Sequence, residues 1–148
     1  MTLYSGWNMH RGMQKTTLDG MRATDYAVLE MFENIADGDF KQDAKGNVYR
    51  GEYKISDNNE LADYIKNKTD VDVTFFYGDT RVLTSLKDKK TGDRLIGTTA
   101  SKEVTDKVLK NGKEYSDTGI VINERPYYGY YVPVKNSDDS IIGMVFVG

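Results

Sequence analysis

Apolar side chains recur at helical spacing along the first forty residues. Leu18, Met21, Val28, Phe32 and Ile35 fall three, four or seven positions apart, with Tyr26 and Leu29 beside them. This predicts a helix over about residues 1–37, best defined from Thr16 because Gly6, Gly12 and Gly20 weaken its start. Gly38 suits a C-terminal stop. The stripe is wide enough to pack on a sheet or on a partner helix, and both readings stand.

Beyond it, residues 37–51 are polar and turn-rich and read as a loop. Their acidic residues do not form a calcium loop. Counted from Asp37, Gln42 stands at the sixth place, where glycine is needed, and Val48 at the twelfth, where glutamate is needed. A short strand follows at 52–55. A second helix is predicted at 58–68, capped by Asp57 or Asn58, with Leu61 and Ile65 on its inner face. The period then becomes strand-like. Residues 71–77 and 80–86 form a hairpin about Gly78-Asp79, and a charged loop at 87–93 leads to a strand at 94–99. Ser101 caps a third helix through Leu109, with Gly112 past its end. Three strands close the chain, at 115–122, 126–135 and 141–147. This order predicts one α+β domain over 1–148: a helix at about 1–37, and at about 48–148 a mainly antiparallel sheet with helices packed on it.

Composition narrows the possible roles. A chain of 148 residues with 39% hydrophobic content forms a real core. The net charge of −3 comes from mixed signs with no basic stripe, which argues against nucleic-acid binding. The absence of cysteine excludes disulfides, thiol nucleophiles and cysteine-bound zinc. His10 is the only histidine, so no multi-histidine metal site exists. No apolar run approaches the roughly 20 residues that span a bilayer. The start within a helix and the end on a strand suggest a piece of a longer protein.

No phosphate-binding, nucleophile-elbow or dinucleotide glycine pattern is present, and the carboxylates fall in loops or on exposed helix faces. Binding is better supported. Arg81 lies among hydrophobic neighbours on a strand with Thr84 three residues on, and Arg94, Thr98 and Thr99 follow. Arginine offers a donor fork that matches a carboxylate, and threonine adds hydroxyls. The plainer alternative is surface ion pairs worth about 0–1 kcal/mol each. Strand alternation places Tyr127, Gly129 and Tyr131 on one face and Tyr128 and Tyr130 on the other. Gly129 leaves a gap for a ligand, or marks a bulge or close contact. Lys135 is a second candidate cation or a solvated edge lysine.

Several segments in order resemble single Cache domains. They are Thr74-Phe75-Phe76 with 79–84, then 92–98, the helix from Ser101 with Gly112 and Tyr115, and finally 131–134 and 142–148. The resemblance implies a PAS-like five-stranded antiparallel sheet behind a long N-terminal helix. It implies an extracytoplasmic sensor of a bacterial inner-membrane receptor, such as a chemoreceptor or sensor histidine kinase. Transmembrane helices would flank it, and a homodimer would form through the first helix. The ligand would be a small carboxylate, with no cofactor and no catalysis. Arg81 and Thr84 match the arginine and polar residue that hold a carboxylate in related citrate and dicarboxylate sensors, with Thr in place of the usual His. Gly129 and Tyr131 stand where those sensors carry basic residues, which points to a smaller or less charged ligand. The expected binding set is Phe76, Arg81, Thr84, Arg94, Thr98, Thr99, Tyr127, Tyr131 and Lys135. The rivals are a dimerisation module without a ligand and a carboxylate-based hydrolase.

Overall fold

The structure is a computed structural model that describes the backbone of residues 3–148 and the side chains of residues 17–148. The side chain of His10 lies outside the described residues. Helix α1 spans Leu3–Asn34, and three short strands follow: β1 (Phe40–Gln42), β2 (Val48–Arg50) and β3 (Tyr53–Lys54). Then come α2 (Asn59–Thr69), β4 (Val73–Tyr77), β5 (Thr80–Thr84), the short α3 (Lys102–Thr105) with a π turn over Asp106–Lys110, β6 (Tyr115–Ile122), β7 (Arg125–Lys135) and β8 (Ile141–Val147). The five long strands form an antiparallel sheet in the order β5-β4-β8-β7-β6. The fold is therefore the expected α+β arrangement of a five-stranded sheet behind an N-terminal helix. Among the described residues no helix is long and apolar enough to cross a membrane.

Both faces of the sheet are covered, and strand alternation divides its side chains between two cores. Val145 and Val147 on β8 join Val132 and Val134 on β7 and Val73 and Phe75 on β4 under Val28, Leu29 and Phe32 of α1. Phe40, Val48, Ala62 and Ile65 complete that core from the small strands and α2. Met144 and Phe146 face the other way and meet Phe76, Tyr131, Leu86, Val104 and Val108. Burial on both faces explains why β8 reads as a continuous apolar run.

Three expectations are corrected. Residues 37–51 are not a plain loop: they contain β1 and β2, which join β3 in a three-stranded sheet that buries Phe40 and Val48. Strands of two or three residues are too short to show a period. Residues 94–99 do not form a strand. Only the isolated bridges Lys87↔Arg94 and Thr80↔Thr99 pair there, and Gly97 at φ +85° turns the chain between them. Helix α1 ends at Asn34 rather than near 37, because the Arg50 side chain takes the free carbonyls of Glu33 (2.9 Å) and Ala36 (3.1 Å). Gly51 permits this approach, since a Cβ there would lie 2.1 Å from the Asp37 carbonyl oxygen. Between the two candidate caps of α2, the structure selects Asn58, whose Oδ1 accepts from the Leu61 amide at 3.2 Å.

Polar groups fasten α1 to the start of β6. Arg22 donates to both Glu114 oxygens (2.7 and 3.1 Å), Tyr26 donates to Oε2 (2.7 Å), and the Tyr130 hydroxyl donates to Oε1. The Arg22 bond leads in holding the Glu114 carboxyl down at about 2, and the two tyrosines help. Beside this clamp, Asp25 is 0% exposed and neither carboxyl oxygen has a partner. Burial, then the nearby Glu114 charge, push its pKa well above the ordinary carboxylate range. A raised pKa means that folding holds Asp25 protonated, so the stability of the fold falls as pH rises from the ordinary carboxylate range through the folded value. Asp25→Asn is therefore expected to raise Tm, with a gain that grows as pH rises from the ordinary carboxylate range through the folded value. Thermal melts across that range test it, and a gain that is flat or shrinking with pH contradicts the assignment.

Candidate functional site

A bulge sets the site. Strand β4 pairs with β5 as Phe75↔Leu83 and then Phe76↔Arg81, so Val82 is an extra residue on β5. Val82 and Leu83 both enter the core under α1. The side-chain alternation is thereby reset, and Arg81 emerges on the opposite face beside Phe76. Its guanidinium stacks on the Phe76 ring at 4.8 Å. Nη1 donates to Thr98 Oγ1 (2.9 Å) and the Thr99 carbonyl (3.4 Å), and Thr98 Oγ1 in turn donates to the Leu95 carbonyl (2.6 Å). The backbones interlock as well: Arg81 N–H donates to Thr98 O and Gly97 N–H to Arg81 O, at 2.9 and 2.8 Å.

Arg81 is 4% exposed, its Nε has no partner, and no ion pair among the described residues engages it. Burial lowers its pKa, opposed mainly by the neighbouring Tyr131 hydroxyl, with no carboxylate contributing. Tyr131 is itself 2% exposed, with its ring 4.9 Å from Phe146 and 6.0 Å from Phe76. Burial pushes its hydroxyl up to about 12, while the Arg81 charge pulls the other way.

Arg81 and Tyr131 border a cavity of about 400 Å³. Residues 95–101, the start of α3 and the bulged strand β6 form its walls. The β6 bulge lies between Asp117 and Ile120, where Asp117 Oδ1 takes the amides of Thr118 (2.7 Å) and Gly119 (3.3 Å). The cavity thus combines one buried cation, several hydroxyls and an apolar wall, the usual make-up of a small-molecule pocket. No group of three or more His, Cys, Asp or Glu among the described residues could hold a metal ion.

Of the expected binding residues, Arg81, Thr98, Thr99 and Tyr131 meet at this cavity, and Phe76 lies beneath the guanidinium. Thr84 shares the face of Arg81 because of the bulge. It is fully buried, however, bonded to Thr74 Oγ1 (2.7 Å) and the Val73 carbonyl (3.1 Å). Arg94 points to α2, paired with Asp63 at 2.8 and 3.0 Å and bonded to the Thr84 carbonyl at 3.0 Å. Tyr127 lies outside the lining, edge-on to Phe146. Lys135 borders a separate surface cleft with Arg50 and Asn136. The sequence reading did not single out Leu95, Glu103, Tyr115, Asp117 or Asn123 as lining. The usable signal was the strand period of β6, which puts Tyr115 and Asp117 on one face.

Residues 44–148 match the family described as single cache domain 3. The chain belongs to this family. No curated protein matches the chain. Among solved structures, the Escherichia coli DcuS sensor domain is similar over 61% of this chain and 63% of that one, at 19% identity and a TM-score of 0.40. The likeness thus spans less than two thirds of that sensor domain. As a Cache domain the chain is a sensory, signal-transducing module, and the segments that suggested the resemblance lie within the matched residues.

The gap beside Gly129 is occupied by protein. A Cβ there would stand 2.7 Å from Ile120 Cδ1 and 2.8 Å from Phe146 Cε1. Gly129→Ala is expected to destabilise the domain by about 1–3 kcal/mol through overpacking. Urea unfolding measures this, and an unchanged midpoint would show that the two side chains yield freely.

Proposed function

We propose that this Cache domain is the extracytoplasmic sensor of a bacterial membrane receptor and that its cavity binds a small carboxylate on Arg81. The observation that carries this reading is a buried guanidinium with no carboxylate partner that borders a cavity. Burying an unpaired charge costs several kcal/mol, and an incoming anion offsets that cost. Thr98 and Thr99 occupy Nη1 and orient the fork, while Tyr131 offers a hydroxyl beside it. Arg81 is the only cation in the lining, which favours one carboxylate over two or three. Catalysis is not part of this reading, since a hydrolase needs a placed acid pair, and of the two lining acids Glu103 is already paired with Lys107. Isothermal titration with acetate, propionate and lactate, compared between wild type and Arg81→Ala, tests it. Loss of a buried charge partner should weaken binding by about 2–5 kcal/mol, some thirtyfold or more. Unchanged affinity refutes the role of Arg81.

A receptor also needs two states that bind the ligand unequally. Tyr115 lines the cavity, and the next residue back, Glu114, holds α1 through Arg22 and Tyr26. A ligand that draws β6 toward Arg81 therefore pulls on α1. The cysteine-free chain accepts spin labels at Asp19→Cys and Lys113→Cys, both exposed positions. The label distance is expected to change with ligand in the wild-type background and to change less in Glu114→Gln. An identical response in both backgrounds removes Glu114 from the route.

A further inference from the structure

We propose that the ligand is an aminocarboxylate, its carboxylate on Arg81 and its ammonium group at Asp117. This rests on the carboxylate reading of Arg81 and extends it to the other end of the same cavity. The lining sets one cation against two carboxylates, Asp117 and Glu103. A simple monocarboxylate adds a third negative charge to that wall, whereas a zwitterion supplies a counter-ion to each end. The two acids are not equivalent. Glu103 already has Lys107 at 3.7 Å, and the Lys107 ammonium stands 5.1 Å from the centre of the Tyr115 ring. Asp117 has no cation partner among the described residues, and the amides of Thr118 and Gly119 both donate to its Oδ1. Those bonds fix the carboxylate at the β6 bulge and leave Oδ2 to accept. Arg81 is thus buried without an acid, Asp117 is exposed without a base, and both line one cavity.

Topology sets the spacing. Arg81 and Asp117 start from opposite edge strands, β5 and β6. The arginine side chain reaches back over Phe76 on β4 and against Tyr131 on β7. Tyr131 pairs with Tyr115, so Asp117 lies one strand across and two residues along from it, on the order of 8 Å away. An amino group several bonds from the carboxylate spans this distance, and the α-amino group of glycine does not.

Titration of the wild-type domain with 4-aminobutyrate, 5-aminopentanoate, glycine, butyrate, butylamine and succinate separates the cases. The expected result is that the longer aminocarboxylates bind about tenfold or more tightly than butyrate, beyond what an exposed ion pair supplies. Asp117→Asn keeps a side-chain oxygen for the two amides. It should abolish that preference while leaving butyrate binding unchanged or stronger. Butyrate binding as well as the aminocarboxylates, in wild type, overturns the Asp117 assignment and leaves the Arg81 reading intact. A preference that survives Asp117→Asn overturns it equally. If no carboxylate in the panel binds, the Arg81 reading fails and this inference fails with it.

Discussion

A guanidinium buried without a carboxylate is the constraint on which the site depends. In water Arg81 would be fully solvated, and its burial against Phe76 and Tyr131 removes most of that solvation. The fold offsets part of the cost with the aromatic face, one threonine hydroxyl and one carbonyl. None of these carries a full negative charge. The remainder is a standing electrostatic demand at the cavity wall. A site held in this way is pre-organised, because the loop at 95–99 already fixes its donors.

That demand exists only because β5 is irregular. In an unbroken strand, the alternation that buries Leu83 under α1 would bury Arg81 there too. The extra residue Val82 turns Arg81 to the other face and leaves Thr84 on that face as well. An arginine and a polar residue three positions apart share a face only across such a bulge. The second bulge, on the opposite edge, lies between Asp117 and Ile120 and holds the Asp117 carboxylate on the amides of Thr118 and Gly119. Both ends of the cavity are thus made by departures from strand regularity, placed on edge strands where they disturb one neighbour only.

These same features explain what could be read from the chain and what could not. The long elements were legible: α1 from its apolar stripe, α2 from Asn58 and Ile65, and β7 and β8 from β-branched and aromatic runs. Arg81, Thr98 and Tyr131 were legible as chemistry because few other cations or hydroxyls sit among apolar neighbours. Thr84 and Arg94 carry the same chemistry but spend it internally, on Thr74 and Asp63. Residue type does not reveal a side chain's partner. The small sheet at 40–54 and the looped course of 94–99 depend on tertiary pairing, with Phe40 drawn into the core by Phe75 at 5.2 Å. Local pattern carries no trace of that contact.

The attachment of α1 differs in kind from the rest of its packing. Val28 and Phe32 are buried in ordinary apolar contact, which resists displacement because a gap forfeits dispersion energy at once. One or two turns earlier the helix is held by Arg22, Tyr26 and Glu114, half-exposed groups that water can re-solvate. Beside them Asp25 is buried with no partner for either oxygen, so this part of the interface already carries an unfavourable element. A shift there exchanges protein hydrogen bonds for water and relieves Asp25, at small net cost. A shift at Phe32 opens a cavity. The domain therefore has a firm end and a yielding end along one helix. The yielding end is fastened through Glu114 to the start of the strand that lines the Arg81 cavity, so a strain applied at Tyr115 meets its least resistance there.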